Sequence, residues 1–178
     1  MKILRGIDKS LDVMRTADIC DNAGISRRTF YRHFTDKYAI APWFLSYCAN
    51  CFLGSIGQSV SWEAGYYGYL RSILRERDTL HKALGYSIND PFKSTPYSCE
   101  RLRIFLEALN ARYGAEPDER MRFLAETFAK LEYEMICDWL RSESPVDLGR
   151  QVERMVGMVP PRLYQALDIL GYENGVSF

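Results

Sequence analysis

Arg27, Arg28, Thr29, Tyr31, Arg32 and His33 stand almost side by side, and Lys37 follows shortly after. Each of these side chains can donate a hydrogen bond, and each guanidinium can donate several at once. Phe30 and Phe34 lie four apart, so they share one helical face, and the donors crowd the remaining faces. A solvent-facing helix this short, this basic and this rich in donors needs an anionic partner. The DNA major groove admits such a helix, and an arginine that grips guanine there through two N–H groups discriminates by about 1–3 kcal/mol. The bland alternative is a solvated charged face, so the surrounding chain has to decide between the two.

Other groups with chemical potential are fewer. Cys48-Ala49-Asn50-Cys51 spells C-x-x-C, a redox or metal spacing. It has no second cysteine pair and only His33 and His81 elsewhere, so two small buried residues is the better reading. His81 is expected on the surface. No paired carboxylates, nucleophile–base set or glycine-rich phosphate loop stands out, so the sequence implies no enzyme, no cofactor and no metal. Trp62, Tyr66, Tyr69, Tyr86 and Tyr97, with Tyr67 and Phe92 nearby, form an aromatic group. They could line a small-molecule pocket, or simply be core at helical spacing.

Composition bounds the rest. With 178 residues, 47% of them hydrophobic, the chain suits one medium domain or a small one joined to a larger one. Formal net charge is zero, but it is unevenly spread. Residues 1–40 carry eight Lys/Arg and five Asp, a net of +3, and the remainder balances it at −3. A basic head on an acidic body fits a nucleic-acid contact at one end. The five cysteines (Cys20, Cys48, Cys51, Cys99, Cys137) are odd in number and scattered, and no secretory leader is legible. Reduced thiols in the cytoplasm are expected. Tyr38–Trp62 lacks any charged residue, but Pro42, Asn50, Gln58 and several Gly and Ser residues make it too polar and broken to cross a membrane.

The elements that must hold the donors read as helices throughout, and the chain is expected to be all-α. Met1 to about Asp8 is a short helix on Ile3, Leu4 and Ile7, followed by a connector over Ser10–Val13. Thr16 opens a helix to Ala23 as its cap, Gly24-Ile25-Ser26 is the turn, and Ser26 caps the helix of the donors, which runs to Phe34. Thr35-Asp36-Lys37 opens a longer helix to about Phe52, with a kink expected at Pro42. After a break over Gly54–Ser61, helices are expected at Trp62–Arg77 and Asp78–Tyr86, and a loop at Ser87–Thr95. Thr95-Pro96 caps a helix that ends at Gly114. The longest helix, Asp118–Arg141, carries two apolar stripes. One is Met121, Leu124, Phe128, Leu131 and Met135; the other is Ala129, Tyr133, Ile136 and Leu140. Two stripes imply burial on two sides, hence a seam with a second copy. Ser144-Pro145-Val146-Asp147 is a capping box for a helix on Leu148, Val152, Met155, Val156 and Val159. Pro160-Pro161 stops it, a short helix follows on Leu163, Ala166, Leu167 and Leu170, and Gly171–Phe178 is a loose tail.

The string from Arg15 to Lys37, RTADICDNAGISRRTFYRHFTDK, resembles the DNA-binding helix-turn-helix of the tetracycline-repressor (TetR) family of bacterial transcription regulators. The matching features are Thr16, Asp18-Ile19, Ala23-Gly24-Ile25-Ser26 at the turn, Thr29 to Phe34 in the recognition helix, and Lys37. The resemblance implies a helix-turn-helix domain over residues 1–45 and a helical effector-binding and dimerisation domain over 46–178. By the same resemblance Tyr31, His33 and Lys37 grip DNA phosphates and Thr16 brings a helix N-terminus to one, while Arg27, Arg28, Thr29 and Arg32 reach base edges or phosphates. Family members usually carry a full first helix before the motif, whereas only about eight residues stand here, so either the first helix is a stub or the sequence begins downstream of the natural start. The function implied is a homodimeric, sequence-specific regulator, a repressor answering to a small-molecule effector, on a double-stranded operator. The alternative is a ligand-sensing or protein-interaction module whose helix-turn-helix no longer binds DNA.

Overall fold

The computed structural model describes residues 2–84, 94–142 and 147–169. Among them there are nine α-helices and no strand: α1 Thr16–Ala23, α2 Arg27–His33, α3 Ile40–Leu53, α4 Trp62–Arg75, α5 Arg77–Leu84, α6 Ser94–Tyr113, α7 Glu119–Arg141, α8 Leu148–Gly157 and α9 Pro161–Leu167. The all-α expectation is met. One isolated bridge, Ile56 to Val60, is the sole strand-like pairing among these residues.

The N-terminal stub is a single 3-10 turn, Leu4–Gly6, rather than a helix to Asp8. Ile3, Leu4, Ile7, Leu11 and Met14 are all buried. Gly6 permits the contact, because a Cβ there would lie 2.5 Å from the backbone oxygen of Ile19 in α1. Asn22 Nδ2 donates to the Gly6 carbonyl at 3.2 Å. Leu11 N–H donates to the Lys82 carbonyl of α5 at 3.1 Å, which fastens the head to the body.

Helix starts correct several expectations. Arg15, not Thr16, occupies the N-cap of α1, because Asp18 folds back to accept the Arg15 backbone N–H at 3.0 Å. Thr16 is the first residue inside the helix. The third helix does not run from Thr35. Asp36 Oδ1 accepts from Tyr38 and Ala39 at 2.7 and 3.1 Å and starts a 3-10 turn, Lys37–Ala39, that leads into α3. Pro42 falls in the first turn of α3, where backbone N–H groups have no intrahelical acceptor anyway, so no kink is required. The helix expected over Trp62–Arg77 ends at Arg75, and α5 begins at Arg77. Pro96 lies inside α6, which begins at Ser94, so Thr95 is not its cap. Residues 85–93, with Tyr86, Phe92 and most of the expected loop, lie outside the described residues, as do Ser144-Pro145-Val146 and Leu170–Phe178. The helix expected after Ser144 starts at Leu148 with Asp147 as its cap, accepting from Arg150 N–H at 3.0 Å.

One core cluster runs from Ile3 to Leu167. Helix α3 leaves the head and packs on α4 and α6; α6 packs on α7, α4 on α8, and α9 closes against α6 and α7. Gly57, at φ +84, lets the α3–α4 connection press on Leu167 of α9. On α7 the stripe of Ala129, Tyr133, Ile136 and Leu140 is buried within the chain. The other stripe is divided: Met121 and Phe128 are buried, Leu124 and Met135 are partly covered, Leu131 is 37% exposed, and neighbouring Phe123 is 65% exposed.

Candidate nucleic-acid interface

The donors are presented by a turn that only a few residue types allow. Gly24 takes φ +64 at the end of α1, a left-handed conformation natural to glycine. Ile25 N–H then donates back to the Cys20 carbonyl at 2.9 Å. Ser26 Oγ accepts Thr29 N–H at 3.0 Å and lies 2.9 Å from Thr29 Oγ1, closing the first turn of α2. Phe30 is fully buried, with its ring 5.2 Å from that of Phe34. Phe34 in turn meets Trp43 of α3 edge-on at 5.3 Å. The apolar edge of α2 is therefore structural, and it aims the opposite edge outward.

On that outer edge Arg27, Arg28, Tyr31, Arg32 and His33 are exposed, and Thr29 is half-buried beneath them. Arg32 Nη2 sits 3.4 Å from His33 Nε2. Among the described residues no carboxylate pairs with Arg27, Arg28 or Arg32, whereas Arg15, Arg103, Arg141 and Arg162 each hold an Asp or Glu. Cations that protrude without counter-ions are what a polyanion can neutralise. Lys37 lies differently. Its ammonium donates to the Met14 carbonyl at 2.7 Å and sits 5.0 Å from the Tyr38 ring centre. It ties the entry of α3 to the loop before α1, with N–H groups to spare. Thr16, half-buried, stands at the N-terminus of α1 next to that loop. The structure thus gathers all eight donors in the head, but it separates an exposed set on α2 from Thr16 and Lys37 behind it.

The aromatic group closes on itself. Trp62, Tyr66, Tyr69 and Tyr97 are fully buried, while Tyr67 is 47% exposed and Tyr86 falls outside the described residues. Tyr69 donates to the Tyr97 hydroxyl at 3.0 Å, Tyr97 donates to Glu132 Oε2 at 2.8 Å, and Tyr66 donates to Glu132 Oε1. Arg101 Nε completes the set on Glu132 Oε2 at 2.7 Å, with its guanidinium 3.9 Å from the Phe105 ring centre. Arg101 Nη1 and Nη2 are buried with no hydrogen-bond partner. Burial pushes the three tyrosines well above their ordinary range. Burial would lower Arg101, but the Glu132 carboxylate together with Tyr66 and Tyr97 outweighs it, and the guanidinium stays charged.

Sequence reasoning missed this ion pair. A signal existed for Glu132: it falls on the buried side of α7, between Phe128, Ala129, Tyr133 and Ile136. A carboxylate at a core position demands a partner. Cys48 is buried and its thiol is pushed up to about 12 by that burial, while Cys51 is exposed; both are free. Among the described residues no cluster could hold a metal ion, and no helix is long and apolar enough to cross a membrane.

Residues 7–41, from the stub through α1, the turn and α2 into α3, match the family model described as bacterial regulatory proteins, tetR family. Among curated proteins none matches the chain.

Proposed function

From its place among the TetR-family DNA-binding regulators of transcription, we propose that this protein is a homodimeric repressor that reads a two-fold-symmetric operator and is released by a small-molecule effector. The observation that carries the DNA-reading part is the exposed, unpaired set of Arg27, Arg28 and Arg32 on a helix pinned from behind by Phe30. In this reading α2 enters the major groove. Arg27, Arg28, Thr29 and Arg32 reach base edges or flanking phosphates, and Tyr31 and His33 donate to the backbone. Thr16 and Lys37 meet the next phosphates, Thr16 from a helix N-terminus. The half-covered stripe of α7, with Leu131 and Phe123 exposed, supports a seam between two copies. Such a seam would space two heads about 34–36 Å apart or a multiple of that. An effector that binds one head spacing better than the other shifts the population and so the affinity. The domains in this reading are the head, residues 1–45, and an effector-binding and dimerisation body, 46–178.

The test is selection from a random duplex library at low salt, followed by titration of the enriched duplex. A preferred, inverted-repeat sequence is expected, with binding that weakens steeply as salt rises. Tyr31→Phe and Lys37→Met should each weaken binding on all sequences alike, and Lys37→Met, which removes a charge, should also flatten the log–log salt slope by about 0.9. Loss of a base-reading arginine should relax one position instead. Binding with no preference over random competitor would remove the reading, and a monomer at micromolar concentration would remove the seam.

A further inference from the structure

A sizeable open space lies away from the buried aromatics. A cavity of about 790 Å³ lies where the head meets the body, between the end of α2, the first half of α3 and the start of α6. Its size suits a small organic ligand. Trp43 and Tyr47, one turn apart on α3, form an aromatic wall with rings 6.1 Å apart and nearly parallel, and both are more than a third exposed. Phe34 extends that wall and Pro96 faces it from α6. Among the described residues the lining contains two carboxylates, Asp36 and Glu100, and no lysine or arginine, with His33 beside them. Asp36 spends Oδ1 on its two capping bonds and has no ion pair among the described residues. Glu100 accepts from Asn50, itself a lining residue, at 2.6 Å and holds Arg103 through both carboxylate oxygens at 2.8 and 3.0 Å, which leaves Asp36 as the carboxylate open to a guest. Aromatic faces attract cations through their quadrupole, and carboxylates attract them through charge, so both kinds of wall favour the same guest.

We propose that this cavity is a binding site for planar aromatic cations, stacked on Trp43 and Tyr47 with the positive charge toward Asp36. The inference deepens the effector-controlled reading and rests on it for its consequence. Phe34 and His33 belong to the end of the recognition helix, so a guest between them and α6 would set the angle of α2 against the body.

Isothermal titration of the full chain with N-methylquinolinium, neutral quinoline and anionic 2-naphthoate tests the site without DNA. The cation is expected to bind saturably and at least ~10-fold tighter than quinoline, with naphthoate weakest. Asp36→Asn should bring the cation down to the level of quinoline. Asparagine keeps the capping oxygen at 36, so the start of α3 is preserved. Trp43→Leu should weaken cation and quinoline together. Should the variants melt early, saturable quenching of Trp43 in the parent, measured against Trp43→Phe with Trp62 and Trp139 still present, reports the site directly. Equal affinity for cation and quinoline, an unchanged Asp36→Asn variant, or no saturable quenching overturns the proposal. DNA affinity measured without any ligand tests the head separately. Cation binding that leaves DNA affinity unchanged keeps the site and removes only its control of the head.

Discussion

Glu132→Gln should be the most damaging conservative change in the body. Glu132 and Arg101 are 0% and 1% exposed and joined at 2.7 Å. Glutamine matches the carboxylate in size and keeps one acceptor oxygen for Tyr66 or Tyr97, so packing is nearly unchanged. What disappears is the counter-charge of a guanidinium whose Nη groups already lack partners. Removing one partner of a buried pair costs about 3–5 kcal/mol. For a chain of this size each kcal/mol moves the melting point by roughly 2–4 °C, so a fall of about 6–20 °C is expected. Arg101→Met alone should also destabilise, by leaving the carboxylate held only by tyrosine hydroxyls. The two changes together remove both charges, and the double variant should melt above at least one of the singles. Thermal melts followed by far-UV circular dichroism at pH 7.5 read all four proteins. A Glu132→Gln protein melting within about 2 °C of the parent, or single losses that simply add in the double, would refute the reasoning.

Gly6→Ala should lift the stub from α1, because the new Cβ meets the Ile19 carbonyl carbon-to-oxygen at 2.5 Å; faster amide exchange over residues 2–14 and weaker DNA binding, with the main melt retained, are the expected signs. Ser26→Ala removes the cap of α2 and should cost about 1 kcal/mol, seen as loss of protection at the Thr29 amide. Iodoacetamide at pH 8 should label Cys51 and Cys99 in the native protein and spare buried Cys20, Cys48 and Cys137 until unfolding. Burial holds Cys48 and Cys137 up at about 12, so they remain neutral thiols through the ordinary pH range. Asp118 is held below 3.8 by Met121 N–H and then by Arg162. Its depressed folded value stabilises α7 above the unfolded value, and that contribution is lost as pH falls through the folded one. Asp118→Asn should therefore flatten the acid limb of the melting profile below about pH 4.

Much of the fold was legible because helix signals are local. The turn at Gly24, the Ser26 cap, the inward Phe30 and Phe34, and the limits of α7 each depend on residues within a few positions of one another. The errors have a common origin in competition for the same backbone groups. Thr16 looked like a cap, but Asp18, one turn later, bonds the Arg15 N–H and shifts the start by one residue. Pro42 looked like a kink, but the 3-10 turn capped by Asp36 places it where its missing N–H costs nothing.

From the chain alone came the identity of the head and the chemistry of its outer edge, because α2 is specified by contiguous residues and a charged face needs no distant partner to be exposed. Long-range packing settled the rest. It made the aromatic group a buried network by bringing Glu132 of α7 to Arg101 of α6 and Tyr66 of α4. It left space instead between Trp43, Pro96 and the end of α2. Neither follows from spacing along the chain, since burial is a property of which helices meet and a cavity is where three of them fail to.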